Sequence, residues 1–188
     1  MRHVIQLFAV LATIICAAPA LSQQPPGGND PQNTILIDTK YGRIVVKLRP
    51  DLAPKHAERI KQLARDKYYD NVPFHRVIAG FMAQTGDGQF GDGTGGSKYP
   101  NLPAEFSTTP YTRGVVGMAR TSDPNSANSQ FFIMLADNPS LNNKYTVVGE
   151  VASGIDVVDK IKKGPEAQNG AVANPDKITH MQVAADAK

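Results

Sequence analysis

"TILIDTKYGRIVVKLRPDLAPKHAERIKQLARDK", Thr34 to Lys67, changes its hydrophobic period once, and that change sets the architecture. "TILIDT" (34–39) and "GRIVVKLR" (42–49) are strand-like runs. Ile44, Val46 and Leu48 fall on one side of the second run. A period of two predicts strands with one buried face, here a hairpin turning at Lys40-Tyr41. In "APKHAERIKQLARDK" (53–67) the spacing becomes three and four, through Ala57, Ile60, Leu63 and Ala64. That is one stripe of an amphipathic helix. Pro54 suits the first turn, where its missing N–H has no helical partner to lose, and Lys and Arg crowd the end. On this pattern His56 falls on the solvent side.

Short strand-like runs follow: "FHRVI" (74–78), "FMAQT" (81–85), "GVVGMA" (114–119), "QFFIML" (130–135) and "YTVVGEV" (145–151), separated by segments rich in Gly, Pro, Asn and Ser. "SGIDVVDKIKKG" (153–164) predicts a second helix with Ile155, Val158 and Ile161 on one side, stopped by Gly164-Pro165. "KITHMQV" (177–183) supplies a closing strand. Many short strands with two helices predict a mainly β fold, an antiparallel barrel with a helix over each end.

Upstream of Thr34 the chain has a different character. Arg2 and His3 precede the apolar run "VIQLFAVLATIICAA" (4–18), and small residues stand at Ala18, Ala20 and Ser22. This is the plan of a secretory signal peptide over residues 1–22, cleaved after Ala20 or Ser22; its apolar run is short of the roughly 20 residues that span a bilayer. Residues 23–33, "QQPPGGNDPQN", hold no apolar side chain and predict a flexible leader, leaving 34–188 as one domain. The single cysteine, Cys16, lies inside the signal, so the exported chain has none and needs no disulfide. Removing Arg2 lowers the formal charge from +3 by one, and no basic block marks a nucleic-acid or membrane footprint.

Conventional catalytic apparatus is missing from the pattern. "GDGQFGDGTGGS" (86–97) matches G-x-G-x-x-G from Gly86 and again from Gly91, but no helical period follows to face a pyrophosphate. Asp87 and Asp92 lack the alternating ligands and closing glutamate of a calcium loop. His56, His75 and His180 are not at metal-ligand spacing, and no G-x-S-x-G elbow occurs, so neither a metal nor another cofactor is expected. Arg76 is the residue that remains. A strand arginine is ordinarily solvated, yet alternation gives Arg76 a face shared with Phe74 and Ile78, opposite His75 and Val77. In "QFFIML" Gln130, Phe132 and Met134 point one way and Phe131, Ile133 and Leu135 the other.

"YGRIVVKLRPDLAPKHAERIKQLARDKYYDNVPFHRVIAGFMAQTGD" (41–87), "GVVGMARTSDPNSANSQFFIML" (114–135) and "LNNKYTVVGEV" (141–151), in that order, resemble the cyclophilin peptidyl-prolyl cis-trans isomerases, and "MARTSDPNSANSQFFI" (118–133) is most similar to bacterial members. The resemblance implies an eight-stranded antiparallel barrel capped by two helices and a groove for Xaa-Pro segments of unfolded or newly exported chains. It matches Arg76 to the catalytic arginine and Gln84 and Gln130 to polar groove residues, with Gln84 orienting the arginine or the substrate carbonyl. Phe81, Met82, Phe132 and Leu141 become the proline pocket, and the backbone of Ala119 and Arg120 the peptide rail. Tyr145 stands where many members have histidine, and Ser140 where cyclosporin-binding members have tryptophan, which implies weak binding of that cyclic peptide. The expected protein is a monomeric periplasmic isomerase acting without a cofactor; the alternative is a proline-peptide-binding chaperone or adaptor with little turnover.

Overall fold

A computed structural model describes residues 30–188. The signal region and most of the leader lie outside the described residues. Asp30 to Asn33 do not continue a loose leader: Asp30 accepts the Gln32 N–H and caps a 3-10 turn at Pro31–Asn33, and Lys61 donates to Asn33. These four residues pack on the domain.

Eight strands form one antiparallel sheet: β1 (Thr34–Thr39), β2 (Gly42–Leu48), β3 (Arg76–Ile78), β4 (Met82–Thr85), β5 (Val115–Met118), β6 (Phe131–Met134), β7 (Val147–Ser153) and β8 (His180–Val183). Their order is β3-β4-β6-β5-β7-β2-β1-β8. Register shifts between Val45 and Val46 against β7, and between Val116 and Gly117 against β7, curl the sheet, since a bulge bends its strand and adds twist. The two edges do not meet as a regular ladder. The stretches leading into them join instead: Asn71 N–H to Ile178 O at 2.8 Å, Phe74 N–H to Asp176 O at 2.8 Å, and Val77 N–H to Gly170 O at 2.8 Å. This seam closes the barrel and brings residues 169–171 beside β3.

The first helix lies where its period places it; the second spans only Ile155–Lys160 of the 153–164 expected, so Ile161 is buried beyond its end and Ile155 is only half-buried. Helix α1 (Pro54–Arg65) packs on β7 and β8 with Ala57, Ile60, Leu63 and Ala64 buried; α2 (Ile155–Lys160) packs on β2 with Val157 and Val158 buried. The inner core runs through Ile35, Ile37, Ile44, Val46 and Phe131 to Val158 and Met181.

His56 is not solvated, as its position on the helical wheel suggests, but fully buried. Ala53 offers no capping side chain, and Glu105, from a distant loop, accepts the N–H groups of Lys55 and His56 at 3.3 and 3.2 Å and meets His56 Nδ1 at 2.6 Å. A carboxylate can only accept, so Nδ1 carries the proton and Nε2, buried without a partner, is the bare nitrogen. The alternation at 74–78 also needs correction. Strand geometry starts only at Arg76, so Phe74 joins Val77 in the inner core while Ile78 packs with Met82 on the opposite face.

The glycine-rich loop folds on its own carboxylate. Gly86, Gly91 and Gly93 take positive φ values, and the buried Asp87 accepts N–H groups from Gln89, Phe90, Asp92, Gly93 and Gly95. Donors that a phosphate would need are thus already committed to Asp87. Burial alone would raise its pKa, but these backbone donors hold it down, to about 2. Among the described residues no three ligating side chains converge.

Stability is expected to fall in two acid steps. Burial lowers the pKa of His56 and His75 below 6.5, so below that value the unfolded chain binds more protons than the folded one and stability falls with pH. Asp87, depressed from 3.8 to about 2, adds a second loss between those values. Urea titrations against pH check this: His56→Gln should flatten the upper step, and Asp87→Asn the lower one while weakening the fold at neutral pH.

Candidate active site

The outer face of β4, β5 and β6 carries a second apolar cluster, separate from the inner core: Met82, Tyr111, Val115, Phe132, Met134 and Val147. It exists because alternation in β6 sends Phe131, Ile133 and Leu135 inward and Phe132 and Met134 outward, as the sequence predicts. Phe132 stacks on Tyr111 with ring centres 5.8 Å apart and meets Tyr145 edge-on at 5.8 Å. Gly117, opposite Phe132 in the β5–β6 register, makes room for this packing. A Cβ there would lie 2.5 Å from Phe132 Cζ and 2.6 Å from the Tyr111 hydroxyl.

A pocket of about 110 Å³ opens over this cluster, lined by Arg76, Phe81, Met82, Gln84, Ala119, Arg120, Phe132, Leu141 and Tyr145. Met82 and Phe132, 2 % and 5 % exposed, are its floor; Phe81, Leu141 and Tyr145 are half-buried rim. A second, more polar pocket of about 270 Å³ adjoins it, sharing Gln84, Ala119 and Arg120 and adding Gln130, Asn101, Asn128 and part of the glycine loop. The ten residues that the resemblance assigns to catalysis and peptide binding therefore surround one groove.

Hydrogen bonds order the polar wall from the loop outward. Gln130 Nε2 donates to the carbonyls of Gly93 and Gly95 at 3.0 and 2.8 Å, which turns its Oε1 toward Gln84. Gln84 Nε2 donates to that oxygen at 2.9 Å, which turns its own Oε1 toward Arg76, whose Nη1 donates to it at 3.2 Å. Arg76 and Gln84 are direct partners in the β3–β4 register. From the other side Asn169 accepts Arg76 Nε on its main-chain oxygen at 3.0 Å and Nη2 on Oδ1 at 2.8 Å. Three of the five guanidinium N–H groups are thereby fixed, and two stay uncommitted. Burial lowers the Arg76 pKa, with Tyr145 opposing, from a starting value so high that the group stays charged at neutral pH.

Asn169, Tyr111 and Gly117 escape the sequence reading. Asn169-Gly170 is a visible turn signal, and Asn169 takes the left-handed conformation at φ 51° that asparagine tolerates. Nothing local, however, says that this turn docks on Arg76; the barrel seam does.

Comparison with known proteins agrees with the geometry. Residues 34–183 match the family "Cyclophilin type peptidyl-prolyl cis-trans isomerase/CLD". The chain belongs to that family. Among its relatives, a Brucella suis protein named "Probable peptidyl-prolyl cis-trans isomerase" is 56% identical over 96% of this chain and 97% of its own length. Peptidyl-prolyl cis-trans isomerase B of Escherichia coli is 38% identical over 72% of this chain and 88% of its own. A crystal structure of a cyclophilin from Hirschia baltica superposes with a TM-score of 0.76 at 27% identity, covering 85% of this chain and 76% of that one. A Cryptosporidium parvum cyclophilin type isomerase crystallised in the presence of the dipeptide Ala-Pro gives 0.73 at 29%, covering 80% and 98%. The cyclophilin is thus a peptidyl-prolyl cis-trans isomerase by family and by its relatives.

The Asn169 clamp generates a prediction. Asn169→Gly removes Oδ1 while keeping the main-chain acceptor and a residue at ease with positive φ. Losing one hydrogen bond to a charged group, about 1.5 kcal/mol, is expected to lower kcat roughly tenfold with KM and melting temperature little changed. Peptide isomerisation assays and thermal denaturation of the same variant check it.

Proposed function

We propose that this cyclophilin accelerates rotation about Xaa-Pro bonds by donating hydrogen bonds from Arg76 to the twisted amide, and that its clients are newly exported chains. The observation that carries the reading is a half-buried guanidinium, clamped from two sides by Asn169 and Gln84, at the wall of an apolar pocket.

No bond is broken in the reaction. Its barrier, about 18–20 kcal/mol, is the amide resonance lost when the C–N bond twists, so no acid, base or nucleophile is needed. A catalyst must bind the twisted state better than either planar isomer, at about 1.4 kcal/mol for each tenfold gain. On twisting, the prolyl nitrogen becomes pyramidal and regains a lone pair. The uncommitted N–H groups of Arg76 can donate to that lone pair, which a planar amide does not present. Holding three N–H groups still means that the guanidinium need not reorganise as the bond turns.

Phe81, Met82, Phe132 and Leu141 grip the proline ring, with Tyr145 at the rim, and the Ala119–Arg120 backbone holds the flanking chain, so that rotation is confined to one bond. The Met82 thioether, one of the most adaptable apolar groups, lies under a ring that shifts during the reaction. Gln84 acts through Arg76, and Gln130 through Gln84. Uncatalysed isomerisation takes about 10–100 s and can limit folding. The charged start, apolar run and small residues of 1–22 support action on exported chains in the periplasm.

Exchange spectroscopy on an Xaa-Pro peptide tests the mechanism. Wild type is expected to speed exchange, and Arg76→Ala to lose roughly a hundredfold or more in turnover, with peptide affinity changed less. Binding without faster exchange in wild type would leave a chaperone or adaptor; an undiminished Arg76→Ala would remove the arginine from the mechanism. For export, mass spectrometry of the protein from the periplasmic fraction should find a chain beginning at residue 21 or 23.

A further inference from the structure

Charge along the groove is one-sided. Among the described residues the only charged side chains lining its two pockets are Arg76 and Arg120, and none of them lining either pocket is a carboxylate. Elsewhere the described arginines are mostly neutralised by acids: Arg43 by Asp38, Arg49 by Asp51, Arg65 by Asp186 and Arg113 by Asp159. Arg59, buried and lining neither pocket, donates to the carbonyls of Pro100 and Asn128. The acids of the glycine loop lie outside both pocket linings, Asp87 buried among backbone N–H groups and Asp92 turned onto Thr94.

Arg120 is also held still. Its guanidinium carbon lies 4.5 Å from the Tyr145 ring centre. Nε and Nη2 donate to the Lys144 carbonyl at 3.2 and 2.8 Å, and Nη1 to the Thr121 carbonyl at 2.8 Å. Carbonyls and a ring face fix the group without cancelling its charge, and its pre-paid ordering lowers the cost of engaging an anion. It stands at the boundary of the two pockets, lining both.

We infer that Arg120 is a specificity residue that favours Xaa-Pro segments bearing a carboxylate side chain within a residue or two of the proline and disfavours those bearing an ammonium group. The inference rests on the groove being the peptide site, and concerns the Arg120 side chain, not the backbone rail. With the proline ring in the apolar pocket, a neighbouring side chain falls near the shared wall where Arg120 stands. An acid there gains an ion pair in a partly desolvated groove; a lysine meets two arginines and no acid.

The test uses three peptides identical but for Glu, Gln or Lys beside the Xaa-Pro unit, placed before it in one series and after it in another. Both kcat/KM by exchange spectroscopy and Kd by chemical-shift titration are read. In at least one series wild type should prefer Glu over Lys by roughly three- to tenfold at low salt, less at about 1 M salt where screening reaches ~3 Å. Arg120→Gln should bring the ratio close to one, and Arg120→Lys should retain most of it. Equal handling of Glu and Lys in both series, or a preference that survives in Arg120→Gln, overturns the assignment. Because Kd carries the preference by itself, a protein that binds without turnover would refute the catalytic reading and still decide this one.

Discussion

The groove depends on a cation that must be held firmly without being used up. A guanidinium beside apolar rings has lost much of its water and needs acceptors, yet every acceptor supplied leaves one donor fewer free at the pocket. A carboxylate would satisfy Arg76 but would also neutralise it and take a bidentate pair of N–H groups. The structure supplies neutral oxygens instead, one from Gln84 and two from Asn169. Charge and two donors survive. The two holders reach Arg76 by different routes, Gln84 through the β3–β4 register and Asn169 through the seam that closes the barrel. Closure therefore orients the side chain as well as stabilising the fold.

A sheet with two apolar faces makes this possible. The inner faces of β4, β5 and β6 belong to the barrel core and their outer faces to the Met82–Phe132 cluster. Residues in these strands are buried on both sides, which fixes register, because a slip by one position would exchange the two sets. The groove floor is thereby as constrained as the core. Its rim, Phe81 before β4, Leu141 from the 3-10 turn at Pro139–Leu141 and Tyr145 before β7, stays partly open to solvent.

What could be read from the chain divides along range of contact. The β1–β2 hairpin, α1 and the split of "QFFIML" into two faces follow from period alone, because each is decided within a few residues. The roles of Phe81, Leu141 and Tyr145 came only through resemblance, since a loop aromatic carries no period. His56 misled because helical phase gives direction but not what lies there; Glu105, 49 residues away, made the direction a buried one. Phe74 misled because alternation was extended two residues beyond the strand that Arg76 begins. Asn169 stayed invisible for the same reason as Glu105, with 93 residues between it and its partner.

The glycine loop, which offers nothing to a nucleotide, acts through geometry. Asp87 gathers five backbone N–H groups around a buried carboxylate and so dictates the path of residues 89–95. That path presents the carbonyls of Gly93 and Gly95 to Gln130, and an amide that donates to two carbonyls has its oxygen direction settled. Each later amide inherits its direction from the one before, through Gln84 to Arg76. A donor–acceptor chain of this kind has one low-energy sense, because reversing one amide would set oxygen against oxygen along the line. The glycines serve that chain by letting the loop bend tightly around one acid, and the acid serves it by staying ionised. A carboxylate that lines neither pocket thus sets the orientation of the arginine at the wall of the apolar one.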